Sequence, residues 1–293
     1  MRFQFIKENR SSFPVKKMCH VLNLSLSGYY RWCTVPLSIR QVKKENLKSR
    51  IRELFTQHRG MAGSPLITAD LREDPACSTV SRPQVARLMR EMGLKCRTVK
   101  KFVVTTDSKH NEPIAPNLLE RKFDVAFPDQ VWVTDITYLK VGSKWCYLTV
   151  FLDLFSRLVV GWDLSSSLER HSAIRALNKS IVHRRPSEGL MIHSDRGVQY
   201  ASADFRRVLR KHGFIQSMSR KGNCWDNAVA ESFFHSIKIQ FIHHCRFQNE
   251  AEAEKALFWY IEIYYNRQRK HSTNGYKSPA HYEMEWRNNR KAA

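Results

Sequence analysis

Residues 131–164 leave this chain little freedom. Val131–Val141, Trp145–Leu154 and Arg157–Leu164 are rich in β-branched and aromatic residues, and only Gly142-Ser143-Lys144 and Phe155-Ser156 separate them. Joins this short allow antiparallel pairing and nothing else, because a parallel crossover needs a dozen residues or more. The pattern therefore predicts a three-stranded meander. Downstream it predicts a helix over about 169–184, a buried strand Leu190–His193, a helix Ala203–His212, a short strand near Ile215–Met218 and a long helix Asp226–Ile242. A meander followed by βα units gives an α/β class with a mixed sheet.

The first hundred residues read differently. Val15, Met18, Val21 and Leu22 recur at helical spacing behind Pro14, and Asn23-Leu24-Ser25 breaks the run. A second short helix around Leu26–Cys33 carries Tyr29, Tyr30, Arg31 and Trp32. Together they form a helix-turn-helix pattern over about 13–34. The same residues also suit a plain helical hairpin with an aromatic core. After a charged helix, Val42 to Phe55, comes another pair over about 64–93. Its second member buries Val85, Leu88, Met89 and Met92 and exposes Arg82, Arg87 and Arg90. Residues 102–128 read as a linker. The expected organisation is thus a helical region 1–101, a linker 102–128, a core 129–245 and a basic helical segment 246–293.

Charge narrows the partners. The 293 residues hold 49 Lys and Arg against 27 Asp and Glu, a net charge of +22. Residues 1–112 hold 22 against 9, so more than half of the excess lies in the helical front. A field of that size attracts a polyanion, and double-stranded DNA is the expected partner. No apolar run reaches the roughly 18 residues of a membrane span, and Met1–Phe13 lacks the apolar stretch of a secretory signal. Seven scattered cysteines without a C-x-x-C pair disfavour both disulfides and a cysteine zinc site, which fits a reducing cytoplasm. No phosphate-cradling glycine motif is present, so no nucleotide cofactor is expected.

Three acidic residues stand out. Asp135 lies inside the first strand on the face that carries Val133, Thr137 and Leu139, where a carboxylate is costly unless something compensates it. Asp195 ends the buried strand, where an α/β sheet opens its crevice. Glu231 lies in the long helix, on a polar stripe with Asn227, His235 and Lys238 at −4, +4 and +7. Taken singly, each has a plain structural reading: a partner for a buried Arg, a turn former, a solvated helix residue. Asp153 and Asp163 look similar and are expected at turns or edges.

The set is more specific than its members. Thirty-five residues separate Asp195 from Glu231, and Lys238 follows seven later. Strand Asp, strand-end Asp and helix Glu resemble the DDE catalytic core of retroviral integrases and transposases. More narrowly, the chain resembles the second-frame (OrfB) protein of the insertion-sequence-three family along nearly its whole length. The matching motifs are Trp132-Val-Thr-Asp135-Ile-Thr-Tyr138, His193-Ser-Asp195-Arg-Gly-Val-Gln-Tyr200, Ser219-Arg-Lys-Gly222-Asn-Cys-Trp-Asp-Asn227 with Glu231-Ser-Phe-Phe, Tyr265-Asn-Arg, and Arg269-Lys-His-Ser272 through Gly275-Tyr-Lys-Ser-Pro279. Two departures stand beside it. The N-terminal zinc module of retroviral integrases is absent, and Ala62-Gly63-Ser64-Pro65-Leu66 replaces the family's aromatic-Gly-Ser-Pro-Arg turn.

This resemblance implies a ribonuclease-H-like fold and a transposase in which Asp135, Asp195 and Glu231 chelate two Mg²⁺ ions, with Mn²⁺ as a substitute. It implies cleavage at insertion-sequence ends followed by strand transfer from the freed 3′-hydroxyl. Lys238, Asn227 and His235 would lie along the DNA at the scissile bond. Arg31, Arg87 and Arg90 would grip the terminal repeats, and Arg267, Arg269 and Lys270 the target or end DNA. A homo-oligomer on DNA is expected, with a nucleoid-associated location in a bacterial cytoplasm. An upstream-frame protein or frameshift fusion would supply the leucine zipper not found here. The alternatives are a non-catalytic DNA-binding regulator, which has no use for the carboxylates, and a ribonuclease-H-like nuclease, which usually lacks the basic front.

Overall fold

A computed structural model describes residues 2–34, 38–97, 112–167 and 170–292. The front half of the expected linker, 102–111, lies outside them. The chain forms two compact units, Met1–Glu53 and Leu54–Ala293. The second helical pair falls within the larger unit.

The smaller unit contains α1 (Arg2–Asn9), which the sequence reading did not assign, then α2 (Val15–Val21) and α3 (Leu26–Thr34). Asn23 turns the chain between α2 and α3 in a left-handed conformation, and Ser25 Oγ caps α3 by accepting from Gly28 N–H. Ile6, Met18, Cys19 and Tyr29 bury against one another. Tyr29 therefore fills a core, while Arg31 is exposed and Trp32 half-exposed beside Phe3. Helix α4 (Ile39–Gln57) contributes residues to both units.

In the larger unit, α5 (Ser64–Leu71) and α6 (Arg82–Glu91) bury Ile67, Leu71, Val85, Leu88 and Met89. Ser81 Oγ caps α6, and Gly93 closes it in the left-handed region. Strands β1 (Val131–Val141), β2 (Lys144–Asp153) and β3 (Val159–Ser165) form the antiparallel meander. Strands β4 (Met191–Ser194) and β5 (Ile215–Met218) add in parallel, giving the order β3-β2-β1-β4-β5. This is the mixed sheet expected from the sequence.

One sheet face packs on α7 (Arg170–Arg184), α8 (Val198–Ala201) and α9 (Ala203–Lys211) through Trp132, Phe151, Ala176, Leu177, Ile192 and Phe205. The helix α8 is a single turn that the sequence reading missed. At Gly161 in β3 an added Cβ would fall 2.0 Å from Ser180 Oγ, so α7 approaches closer than any side chain allows. The other face packs Val133, Leu139, Leu148 and Val150 on Phe233, Phe234 and Ile237 of α10 (Ala228–Gln240). Behind α10 runs α11 (Glu250–Phe258), which widens into a π-helix over Trp259–Tyr265 that buries Tyr260, Ile261, Tyr264 and Tyr265. The chain closes with α12 (Pro279–Ala292).

Candidate active site

Parallel pairing of β1 with β4 joins Val131 to Met191, Trp132 to Ile192 and Val133 to His193. Two residues beyond Val133 stands Asp135, and two beyond His193 stands Asp195. The register therefore brings two carboxylates, 60 positions apart in the sequence, to the same level on neighbouring strands. Both are half-buried. Asp135 Oδ1 accepts from Ile136 N–H at 2.8 Å, and Asp195 Oδ1 accepts from Gly197 N–H at 2.9 Å. A Cβ on Gly197 would meet that same Asp195 oxygen at 3.0 Å, so a side chain there would crowd the carboxylate.

The third carboxylate comes from α10, whose start is fixed by hydrogen bonds. Asn227 is buried, and its Nδ2 donates to Thr134 O at 3.2 Å, one residue before Asp135. On the other side of Thr134, its Oγ1 meets Tyr200 Oη at 3.0 Å. Thr134 thus ties the segments that carry Asp195 and Glu231 to the strand that carries Asp135. The sequence reading placed Asn227 on the exposed polar stripe of a helix beginning at Asp226. In the structure α10 begins at Ala228, after a 3₁₀ turn over Cys224–Asn227, and Asn227 is a buried strap. His235 is exposed, and Lys238 is half-buried with Nζ 4.9 Å from the Tyr138 ring centroid.

Electrostatics unite the trio. Burial, then the charge of Asp195 and more weakly that of Glu231, pushes the Asp135 carboxyl well above the ordinary range; Ile136 N–H and Lys238 oppose the shift. Burial raises Glu231 as well, and it lowers Lys238 against the pull of Asp135. Tyr200 is driven up by burial and then by both aspartates. Like charges gathered in a half-buried cleft, all on oxygen donors, suit a hard divalent cation. Among the described residues no three His, Cys, Asp or Glu side chains already form a ligand cage.

Two further groups build the site without having been singled out in the sequence. Asp226 is fully buried and accepts from Arg220, Arg121 and Asn117 at 2.7–3.0 Å, which holds its carboxyl far below the usual range and fixes the loop ahead of α10. His193 Nε2 donates to Asp226 O at 3.0 Å, so Nδ1 accepts from Ser217 Oγ at 2.8 Å and the ring is neutral. Burial pushes its pKa down to about 4. Each stood inside a quoted motif, but neither pattern nor spacing revealed the pairing. Asp153 closes the β2–β3 turn by accepting from Ser156 and Asp129, while Asp163 pairs with Arg175 and Lys179 on the edge strand. Both stand apart from the trio.

Of the expected DNA contacts, Arg31, Arg87, Arg90 and Arg267 are exposed and Arg269 half-buried, with Nε on Gln240 Oε1 at 3.1 Å. Lys270 is different. It is buried, with Nζ 3.0 Å from Asp70 and 2.5 Å from Glu73, and Asp70 also meets His58 at 2.8 Å. Its ammonium anchors α5 to the C-terminal segment.

Comparison with known proteins identifies the family. An integrase core domain matches residues 126–224, a second integrase core match covers 212–279, and an HTH-like domain matches 42–102. The chain is 38% identical to the transposase InsF for insertion sequence IS3A of Escherichia coli over 285 residues, 97% of this chain and 98% of that one. It belongs to the IS3 family of transposases. This IS3-family transposase is also 39% identical to the IS600 31 kDa protein of Shigella sonnei, over 92% of its own length and 98% of the relative. The HTLV-2 integrase catalytic core in complex with magnesium covers 54% of the IS3-family chain and 97% of its own at 19% identity, with a TM-score of 0.42. The protein is a DDE transposase, a polynucleotidyl transferase that acts on DNA. Among its described residues no helix is long and apolar enough to cross a membrane.

Proposed function

We propose that Asp135, Asp195 and Glu231 are the catalytic trio of this transposase and together hold two Mg²⁺ ions, with Mn²⁺ able to substitute. The observation that carries this is the parallel register that sets Asp135 and Asp195 on neighbouring strands, with the start of the Glu231 helix strapped by Asn227 to Thr134; burial first, and then the charges of Asp195 and Glu231, raises the Asp135 carboxyl. When bound, the ions supply Lewis-acid activation of the attacking oxygen and stabilisation of the leaving oxygen.

The chain's own groups do the rest. Lys238, fixed over Tyr138, holds a non-bridging phosphate oxygen beside the scissile bond. Asn227 keeps α10 against β1 so that Glu231 faces the aspartates, and His235 lines the DNA on the same helix. Arg31 in the smaller unit and Arg87 and Arg90 on α6 contact phosphates of the terminal repeats, while Arg267 and Arg269 meet end or target DNA. Joining two DNA ends to a target calls for more than one protomer, so we assign a homo-oligomer on DNA, with an upstream-frame protein or fusion as the source of a zipper. The protein works in the bacterial cytoplasm at the nucleoid.

The test is incubation of the protein with a labelled pair of element ends and Mg²⁺, followed by chelator. Strand-transfer products that vanish with chelator are expected. Nicking without any joined product would favour a nuclease, and DNA binding without either would favour a regulator.

A further inference from the structure

A second charged feature lies on the flank of α10. Between α10, the β2–β3 turn and the loop after Arg269 is a cavity of about 150 Å³ lined by Arg157, Ser232, Ser236, Tyr265, His271 and Thr273, with apolar atoms from three residues of α10. No Asp or Glu lines it. Arg157 Nη2 reaches Phe123 O at 3.4 Å, but Nη1 is buried with no hydrogen-bond partner. Asp124 and Asp153 act on this guanidinium through space without forming an ion pair. Arg157 as a whole is half-buried and lines the cavity, which sets a positive charge in its wall.

The remaining wall is polar and uncharged. Ser232 and Ser236 are one helical turn apart and present two hydroxyls. His271 Nδ1 meets Thr273 Oγ1 at 2.8 Å. Burial, then Arg269 and Arg157, push His271 down to about 4, so the ring adds no charge to the wall. Burial pushes Tyr265 up to about 12, so its hydroxyl keeps its proton. One fixed cation, several hydroxyls and no carboxylate describe a site for a tetrahedral oxyanion.

We propose that this cavity binds a backbone phosphate of the DNA being processed, gripped by Arg157 with Ser232 and Ser236. Ser232 follows Glu231 directly and so lies about 100° around α10 from it. The same helix then presents a carboxylate toward the scissile bond and a phosphate clamp on its adjacent side. Ser232 and Thr273 are exposed at the mouth, which leaves a path for a chain of nucleotides. A free phosphate ion has the same chemistry, and the net charge of +22 favours the DNA source. The proposal rests on the protein acting on DNA, but it is read through binding rather than cleavage.

The experiment measures affinity for a labelled element-end duplex across a salt titration, for wild type, Arg157→Gln, Ser232→Asp and Asp135→Asn. Losing one phosphate contact lowers the slope of log affinity against log salt by about 0.9. Arg157→Gln and Ser232→Asp should each show that loss, and Asp135→Asn should keep the full slope while losing cleavage. Ser232 is exposed, so its variant decides the matter even if Arg157→Gln does not fold. Unchanged slopes in the folded variants overturn the proposal. So does a thermal shift with inorganic phosphate that Ser232→Asp abolishes without any change in the DNA slope, because the cavity would then serve a free anion. A defect in cleavage alone, in Asp135→Asn, bears on the trio and not on this cavity.

Discussion

Val133 and His193 pair in parallel register, and each is followed two residues later by an aspartate. The sheet pairing itself therefore sets the level of Asp135 against Asp195. The start of α10, the helix that carries Glu231, is strapped to the same strand through Asn227 and Thr134. Asp135 and Asp195 are each held by a backbone N–H, which is what a site needing tight geometry requires.

His193 makes this arrangement sensitive to acid. Its folded pKa is near about 4 against 6.5 for a free imidazole. As pH falls below about 6.5 the unfolded chain takes up the proton first, so stability declines until pH reaches about 4. The full effect is of order 3 kcal/mol. Denaturant melts of wild type and His193→Gln should differ most near neutrality, with the gap narrowing on acidification. A gap that widens at low pH would contradict the neutral, buried ring.

Lys270 separates an anchor from a DNA contact. Removing one member of a buried ion pair costs about 3–5 kcal/mol, somewhat less here because Glu73 is largely exposed. Lys270→Met should lower thermal stability by about 2–4 kcal/mol and leave the salt slope of DNA binding intact. Arg267→Ala should do the reverse, with a shallower slope and an unchanged melt.

Gly161 tests the closest approach in the fold. A methyl group there collides with Ser180 Oγ and comes within 3.0 Å of Ala176 O. Gly161→Ala should cost about 2–3 kcal/mol by calorimetry, with partial recovery in the Gly161→Ala, Ser180→Gly double variant. Full stability in the single variant would show that α7 can move away from β3.

The sheet and its helices were legible because short joins and period switches are local signals. Val131–Val141 and Ile215–Met218 stand as read, and the other strands differ by one or two residues at their ends. Asp135 betrayed itself as a charge inside a strand fit for burial. The acid that organises the loop before α10 did not, because the partners of Asp226 lie at Asn117, Arg121 and Arg220 and no spacing rule links them. Lys270 misled for the same reason: within the run Arg267–His271 it looks like its neighbours, and only the fold turns it toward Asp70. Asn227 kept the helical phase of Glu231 in sequence, but the 3₁₀ turn shifts it inward.

The claim on which the rest depends is that three carboxylates share divalent cations. Diffraction from crystals soaked in Mn²⁺, recorded at the manganese edge, tests it directly. Anomalous peaks should lie within metal–oxygen bonding distance of Asp135, Asp195 and Glu231, and they should disappear in Asp135→Asn. Manganese bound elsewhere, with the three side chains apart and unligated, would contradict the account.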